Sequence, residues 1–79
     1  MNALIVDDDS NIVDIIIRSL NWKNLGIEKV LYAYEIAGAK KILTEEPIDI
    51  VVCDIEMPMG SGLDLIQWAR DKGFGSEFL

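Results

Sequence analysis

Two short apolar runs in this chain end in acid. LIV closes on Asp7, Asp8 and Asp9, and VVC closes on Asp54. If both runs are parallel strands of one sheet, their carboxyl ends lie side by side and three or four carboxylates meet at one point. Two carboxylates about 4 Å apart repel by roughly 4 kcal/mol at an effective dielectric of about 20. A cation between them offsets that repulsion. The cluster therefore points to a hard-metal site with one carboxylate to spare for chemistry.

The rest of the chain supports such a sheet. Residues 3–6 (ALIV) are apolar without alternation, as in a parallel strand covered on both faces. Ile12, Val13, Ile16, Ile17 and Leu20 recur at helical spacing, so residues 12–20 predict a helix. Asp9 or Ser10 is its natural N-cap. Its end is expected near Asn24, with Gly26 in the turn and Trp22 and Leu25 plugging it. Residues 28–33 predict a second strand. Residues 36–46 predict a second helix, buried through Ala39, Ile42 and Leu43 and stopped by Pro47. Gly38 inside it implies a close contact or a later start.

Residues 49–53 (DIVVC) predict a third buried strand, and EMPMGSG a loop. Residues 63–72 predict a third helix ended by Gly73, with Trp68 on its exposed face. The residues after Phe74 read as a turn and the first two residues of another strand. Asp14, Asp64, Glu45 and Glu46 read as solvated helix charges. The order β-α-β-α-β-α implies right-handed crossovers and a parallel sheet. Ligands of such sheets bind beyond the carboxyl ends of the strands, where strand order reverses.

With 79 residues there is room for one small domain, and 51% hydrophobic residues make it globular. A core of this size is marginal without support from a metal, a disulfide or a partner. A net charge of −7 leaves no electrostatic footprint for nucleic acid. The absence of His excludes His-based metal sites and His general bases. The single Cys53 reads as a buried, reduced thiol. No apolar run reaches the roughly 18 residues of a membrane span, and Met1 leads directly into a strand. A cytoplasmic location is therefore expected, without membrane contact.

These motifs carry a family resemblance. LIVDDDS followed by VVCDIEMPMGSGLDL resembles the receiver domain of two-component response regulators. The elements are the acidic pair Asp7–Asp8, then Asp54, Met57–Pro58 and Gly62. The resemblance implies a flavodoxin-like (CheY-like) three-layer α/β fold. It implies that Asp54 is a phosphoacceptor attacking phosphohistidine on a sensor histidine kinase. It further implies that Asp8, Asp54 and the backbone carbonyl of Glu56 bind Mg²⁺, with Asp7 acting mostly through a metal-bound water. Asp9 reads as a cap or solvated acid rather than a ligand. Met57, Pro58 and Gly62 shape the loop, and Gly62 permits a tight turn or close packing. Glu56 is expected to project into solvent near the site. The chain itself is not expected to be an enzyme.

A full receiver continues through further strands and helices, supplying a Ser or Thr and a Lys that engage the phosphoryl group. Residues 1–79 are therefore expected to be the N-terminal part of a receiver domain, with phosphorylation slow or absent. The third strand would become an edge and apolar helix faces would lose cover, so self-association into a homo-oligomer is expected. No direct nucleic-acid contact is expected from this segment, although an output domain of the parent chain would commonly bind DNA. Two other readings stand beside this one. One is a self-associating fragment without chemistry. The other is an Asp-nucleophile phosphohydrolase, which needs a second Asp two residues after the nucleophile. That position is Glu56 after Asp54 and Asp9 after Asp7.

Overall fold

A computed structural model of the chain describes residues 1–57 and 60–79, with Glu56 and Gly60 described by their backbone. Pro58, assigned above to shaping the loop, lies outside the described residues. The three expected strands are β1 (Asn2–Val6), β2 (Lys29–Ala33) and β3 (Ile50–Cys53). The three helices are α1 (Ser10–Ser19), α2 (Ile36–Glu45) and α3 (Gly62–Asp71). Within EMPMGSG, read above as loop throughout, Glu56–Met57 (β4) and Gly60–Ser61 (β5) pair antiparallel. The chain closes with a two-residue strand, β6 (Glu77–Phe78).

The main sheet has the order β2-β1-β3-β6 and is parallel at every pairing. β1 is central because its residues Ala3–Val6 are apolar and fully covered, at 0–1% exposure. Its neighbours on the two sides are β2 and β3, so strand order reverses beside it and a crevice opens at the carboxyl ends. β3 is not the edge expected above. β6 pairs with Ile50 and Val51, and Leu79 N–H donates to Val51 O at 2.8 Å. Two strand residues are enough to occupy the groups that an edge would leave open.

Alternation along the strands sorts the core. Leu4, Val6 and Val51 point to one face, where they meet Ala33, Ile36, Ala39, Leu43, Ile48 and Leu65 from β2, α2, α3 and the loop into β3. α2 and α3 pack against each other on this face. Ile5 and Val52 point to the opposite face, toward Ile12 and Ile16 of α1. There the apolar face of α1 lacks cover, as expected above. Of the five apolar positions at helical spacing, Val13 alone is buried, while Ile12 and Leu20 are 43% and 47% exposed. α1 is the one helix on that face among the described residues, so the line nearest the sheet is covered and the flanks are not.

Other differences are local. α1 stops at Ser19, because Leu20 turns to extended backbone, and Lys23–Leu25 form a separate 3-10 turn. Gly26 closes that turn at φ 79°, the left-handed region that favours glycine. Trp22 Nε1–H donates to Ile17 O at 2.9 Å and so satisfies a carbonyl that the end of α1 leaves open. Ile27, 2% exposed, plugs the turn in place of Leu25, which is 57% exposed. Gly38 meets ordinary contacts, the nearest being Ala33 Cβ at 3.5 Å, so packing does not require glycine there. Trp68 is half-buried rather than exposed. Phe74 returns after the Gly73 turn to meet it edge-on at 5.6 Å, and Lys40 Nζ lies 5.5 Å above its ring.

Candidate functional site

The two acid-ended strands do converge. Ala3–Val6 pair in register with Ile50–Cys53, so the chain leaves both strands at the same level. Main-chain bonds continue the ladder one step into the acids. Asp7 N–H donates to Ala33 O at 3.1 Å, and Asp54 N–H donates to Val6 O at 2.9 Å. The backbone that carries each carboxylate is thus fixed by the sheet and not by a free loop.

One oxygen from each of Asp7, Asp8 and Asp54 lies within 4.8 Å of the others. Asp7 is the most enclosed, at 9% exposure. Its Oδ1 accepts the backbone N–H of Asp9 at 2.9 Å, which fixes the turn into α1. Asp8 is exposed and Asp54 half-buried. Asp9 is the N-cap of α1: its Oδ1 accepts the N–H of Asn11 at 2.9 Å. A carboxylate committed to a helix end is not the acid/base partner of Asp7 that the phosphohydrolase reading needs.

The donor set is all carboxylate oxygen, the preference of a hard cation. Mg²⁺ holds its ligands at about 2.0–2.1 Å, so neighbouring and opposite ligand oxygens stand roughly 3–4 Å apart. The three carboxylates, with one oxygen each within 4.8 Å of the others, offer a donor set that fits such an ion. Glu56, the fourth expected ligand through its carbonyl, lies in β4 opposite Ser61, and its side chain falls outside the described residues.

Cys53 precedes Asp54 as a half-buried free thiol that packs against the main core cluster. Its pKa is pushed up to about 11, first by burial and then by the charges of Asp54 and Asp7. The thiol therefore stays protonated, as expected of a structural cysteine. Two supports escaped the sequence reading. Ser61 is the N-cap of α3, its Oγ accepting the N–H of Asp64 at 3.2 Å. The spacing Ser61–Asp64, S-x-x-D before an apolar run, is the signal that could have found it. The other is Val6 O, a main-chain acceptor that no sequence pattern announces.

Comparison with known proteins agrees with this geometry. The family model described as response regulator receiver domain matches residues 3–76. The chain is 34% identical over 70 residues to "Response regulator protein PilR" of Pseudomonas aeruginosa, covering 89% of this chain and 15% of that protein. It is 36% identical over 66 residues to "Protein-glutamate methylesterase/protein-glutamine glutaminase 3" of Burkholderia thailandensis, covering 84% of this chain and 18% of that one. The chain thus spans less than a fifth of either relative. A solved structure titled "MaeR response regulator bound to beryllium trifluoride" superposes with a TM-score of 0.79 at 25% identity, over 100% of this chain and 65% of its own. Fold, converging carboxylates and family match agree: this chain belongs to the response regulator receiver domain family.

Proposed function

We propose that Asp54 is the phosphoacceptor of a two-component signalling module, taking a phosphoryl group from phosphohistidine on a sensor histidine kinase. The observation that carries this reading is the convergence of Asp7, Asp8 and Asp54 within 4.8 Å at the carboxyl ends of β1 and β3. In the transfer, an oxygen of Asp54 attacks phosphorus, the new O–P bond forms as the N–P bond breaks, and the electron pair returns to the imidazole nitrogen. Asp8, Asp54 and the carbonyl of Glu56 would hold Mg²⁺, with Asp7 one water removed. Bound there, Mg²⁺ supplies charge that offsets the phosphoryl oxygens. The chain's own part is to hold Asp54 close to Asp7 and Asp8, its main chain fixed by the bond from its N–H to Val6 O.

In this reading the protein is a phosphoacceptor and not an enzyme, works in the cytoplasm, and makes no nucleic-acid contact through residues 1–79. Among the described residues no helix is long and apolar enough to cross a membrane. Residues 1–79 form the N-terminal part of a receiver domain, and transfer to this chain alone is slow. Two of its lysines have other places: Lys40 Nζ lies over the Trp68 ring and Lys72 is the C-cap of α3. The test is incubation with acetyl phosphate and Mg²⁺, followed by intact mass. One phosphoryl adduct is expected, lost in Asp54→Asn and without Mg²⁺. An adduct that persists in Asp54→Asn overturns the assignment.

A second reading has its own observation. Ile12, Ile15 and Leu20 leave apolar surface on α1 (Ile15 is 61% exposed), so copies of the chain associate through that helix. Light scattering at micromolar concentration decides it, and a monodisperse monomer overturns it.

A further inference from the structure

We infer that Gly62 is a positioning residue for the phosphoacceptor, a reading that rests on the assignment of Asp54 above. Gly62 opens α3 and is buried. A Cβ built on it would stand 2.7 Å from Asp54 O, 3.1 Å from Ile55 Cα and 3.2 Å from Cys53 Sγ. All three lie inside the ~3.5 Å at which non-bonded carbon contacts become favourable. Two of the three are backbone atoms and cannot swing aside. The N–H of Gly62 also donates to Ile55 O at 2.9 Å. The first residue of α3 therefore rests directly on the main chain of Asp54 and Ile55, at a distance that only glycine allows.

The other side of the same residue is held by β1, through Asp54 N–H to Val6 O at 2.9 Å. Asp54 is clamped between the central strand and the start of α3, its N–H on one and its C=O against the other. A methyl group at position 62 must push the Asp54 carbonyl away, and the carboxylate on that residue moves with it. Mg²⁺ tolerates such movement poorly, because it demands near-ideal octahedral geometry. Residues that orient a metal ligand without touching the metal typically govern about 10–100-fold in affinity. Gly62 acts in this way, through packing and not through a ligand atom.

The experiment titrates Mg²⁺ into the wild-type chain, Gly62→Ala and Gly38→Ala, each also followed through unfolding in urea. Gly38 is the internal control: it too lies in a helix, but a Cβ there meets side-chain atoms at 3.5 and 3.9 Å, ordinary contact. Gly38→Ala is expected to bind Mg²⁺ like the wild type, and Gly62→Ala to lose about tenfold or more in affinity. A folded Gly62→Ala that binds Mg²⁺ with wild-type affinity overturns the inference, whatever its stability. If Gly62→Ala does not fold, amide resonances of the wild type decide. Those of Ile55 and Gly62 are expected to shift with Mg²⁺ while that of Gly38 stays, and an unmoved Gly62 resonance overturns the inference. A wild type that neither responds to Mg²⁺ nor takes a phosphoryl adduct overturns the assignment of Asp54 itself, and this inference with it.

Discussion

On one face of the sheet, α2 and α3 lean on each other and enclose a continuous cluster running from Leu4 and Val51 to Leu43 and Leu65. On the other, α1 stands by itself among the described residues and buries Val13, while Ile12, Ile15 and Leu20 keep 43–61% of their surface exposed. An open groove of about 300 Å³ runs between α1 and the sheet, lined by Ile5, Ile12, Ile16 and Val52 and reaching Asp7 and Asp54 at its top. The helices on both faces carry an apolar stripe at helical spacing. What differs is the number of neighbours: a helix covers one line of its own apolar stripe against a sheet, and a second helix covers the next.

The contrast breaks or holds first at Leu65, which is 0% exposed between α3 and the sheet. Leu65→Ala is expected to cost about 2–5 kcal/mol in urea unfolding, through lost burial and the cavity left behind. Against a total of roughly 5–15 kcal/mol that is a large part of the stability, so the urea midpoint should fall clearly. A cost below about 1 kcal/mol would mean that the α2–α3 face is not the drier of the two.

This contrast also explains what was legible in advance. The first and third strands follow from LIV and VVC, because a doubly covered strand leaves an unbroken apolar run; that they are neighbours was a condition of the reading, met by the register of β1 on β3. Asp7, Asp8 and Asp54 were found together for that reason. That α1 would lack cover was legible from the family pattern; how deep each of its residues sits was not, since periodicity marks which side of a helix is apolar and not how much of it a neighbour covers. The end of α1 was missed because Leu20 and Trp22 continue the helical spacing while the backbone has already turned at Leu20. Trp68 was misplaced because its partner Phe74 lies beyond the Gly73 turn, outside any helical window. Gly62 was legible as a close approach, but the atom it approaches, Asp54 O, is set by tertiary structure.

Cys53 offers a second test, at the point where the two faces meet the site. The thiol packs against the α2–α3 cluster, and its pKa is raised from 9.0 to about 11. The native state therefore holds this proton over a range in which the unfolded chain has released it. Stability must then fall as pH rises from about 9 to about 11, because the unfolded state binds fewer protons there. Urea unfolding across that range should show the decline, and Cys53→Ala should flatten it. An equal slope in the variant would place the thiol in water and remove it from the dry face.

The smallest effect is expected at Ile15, 61% exposed on α1. Ile15→Ser removes apolar surface that the fold does not cover, so urea unfolding should shift by no more than about 0.5 kcal/mol. Asp14 and Arg18, paired at 3.1 Å on the same helix, are also largely exposed and should contribute as little. The informative quantity is the difference between two readouts of one variant. If copies associate through α1, Ile15→Ser lowers the mass seen by light scattering while leaving unfolding of the monomer nearly unchanged. If unfolding is instead weakened by 2 kcal/mol or more, Ile15 is packed against the chain's own core. The inequality between the two faces of the sheet would then be wrong at the helix that defines it.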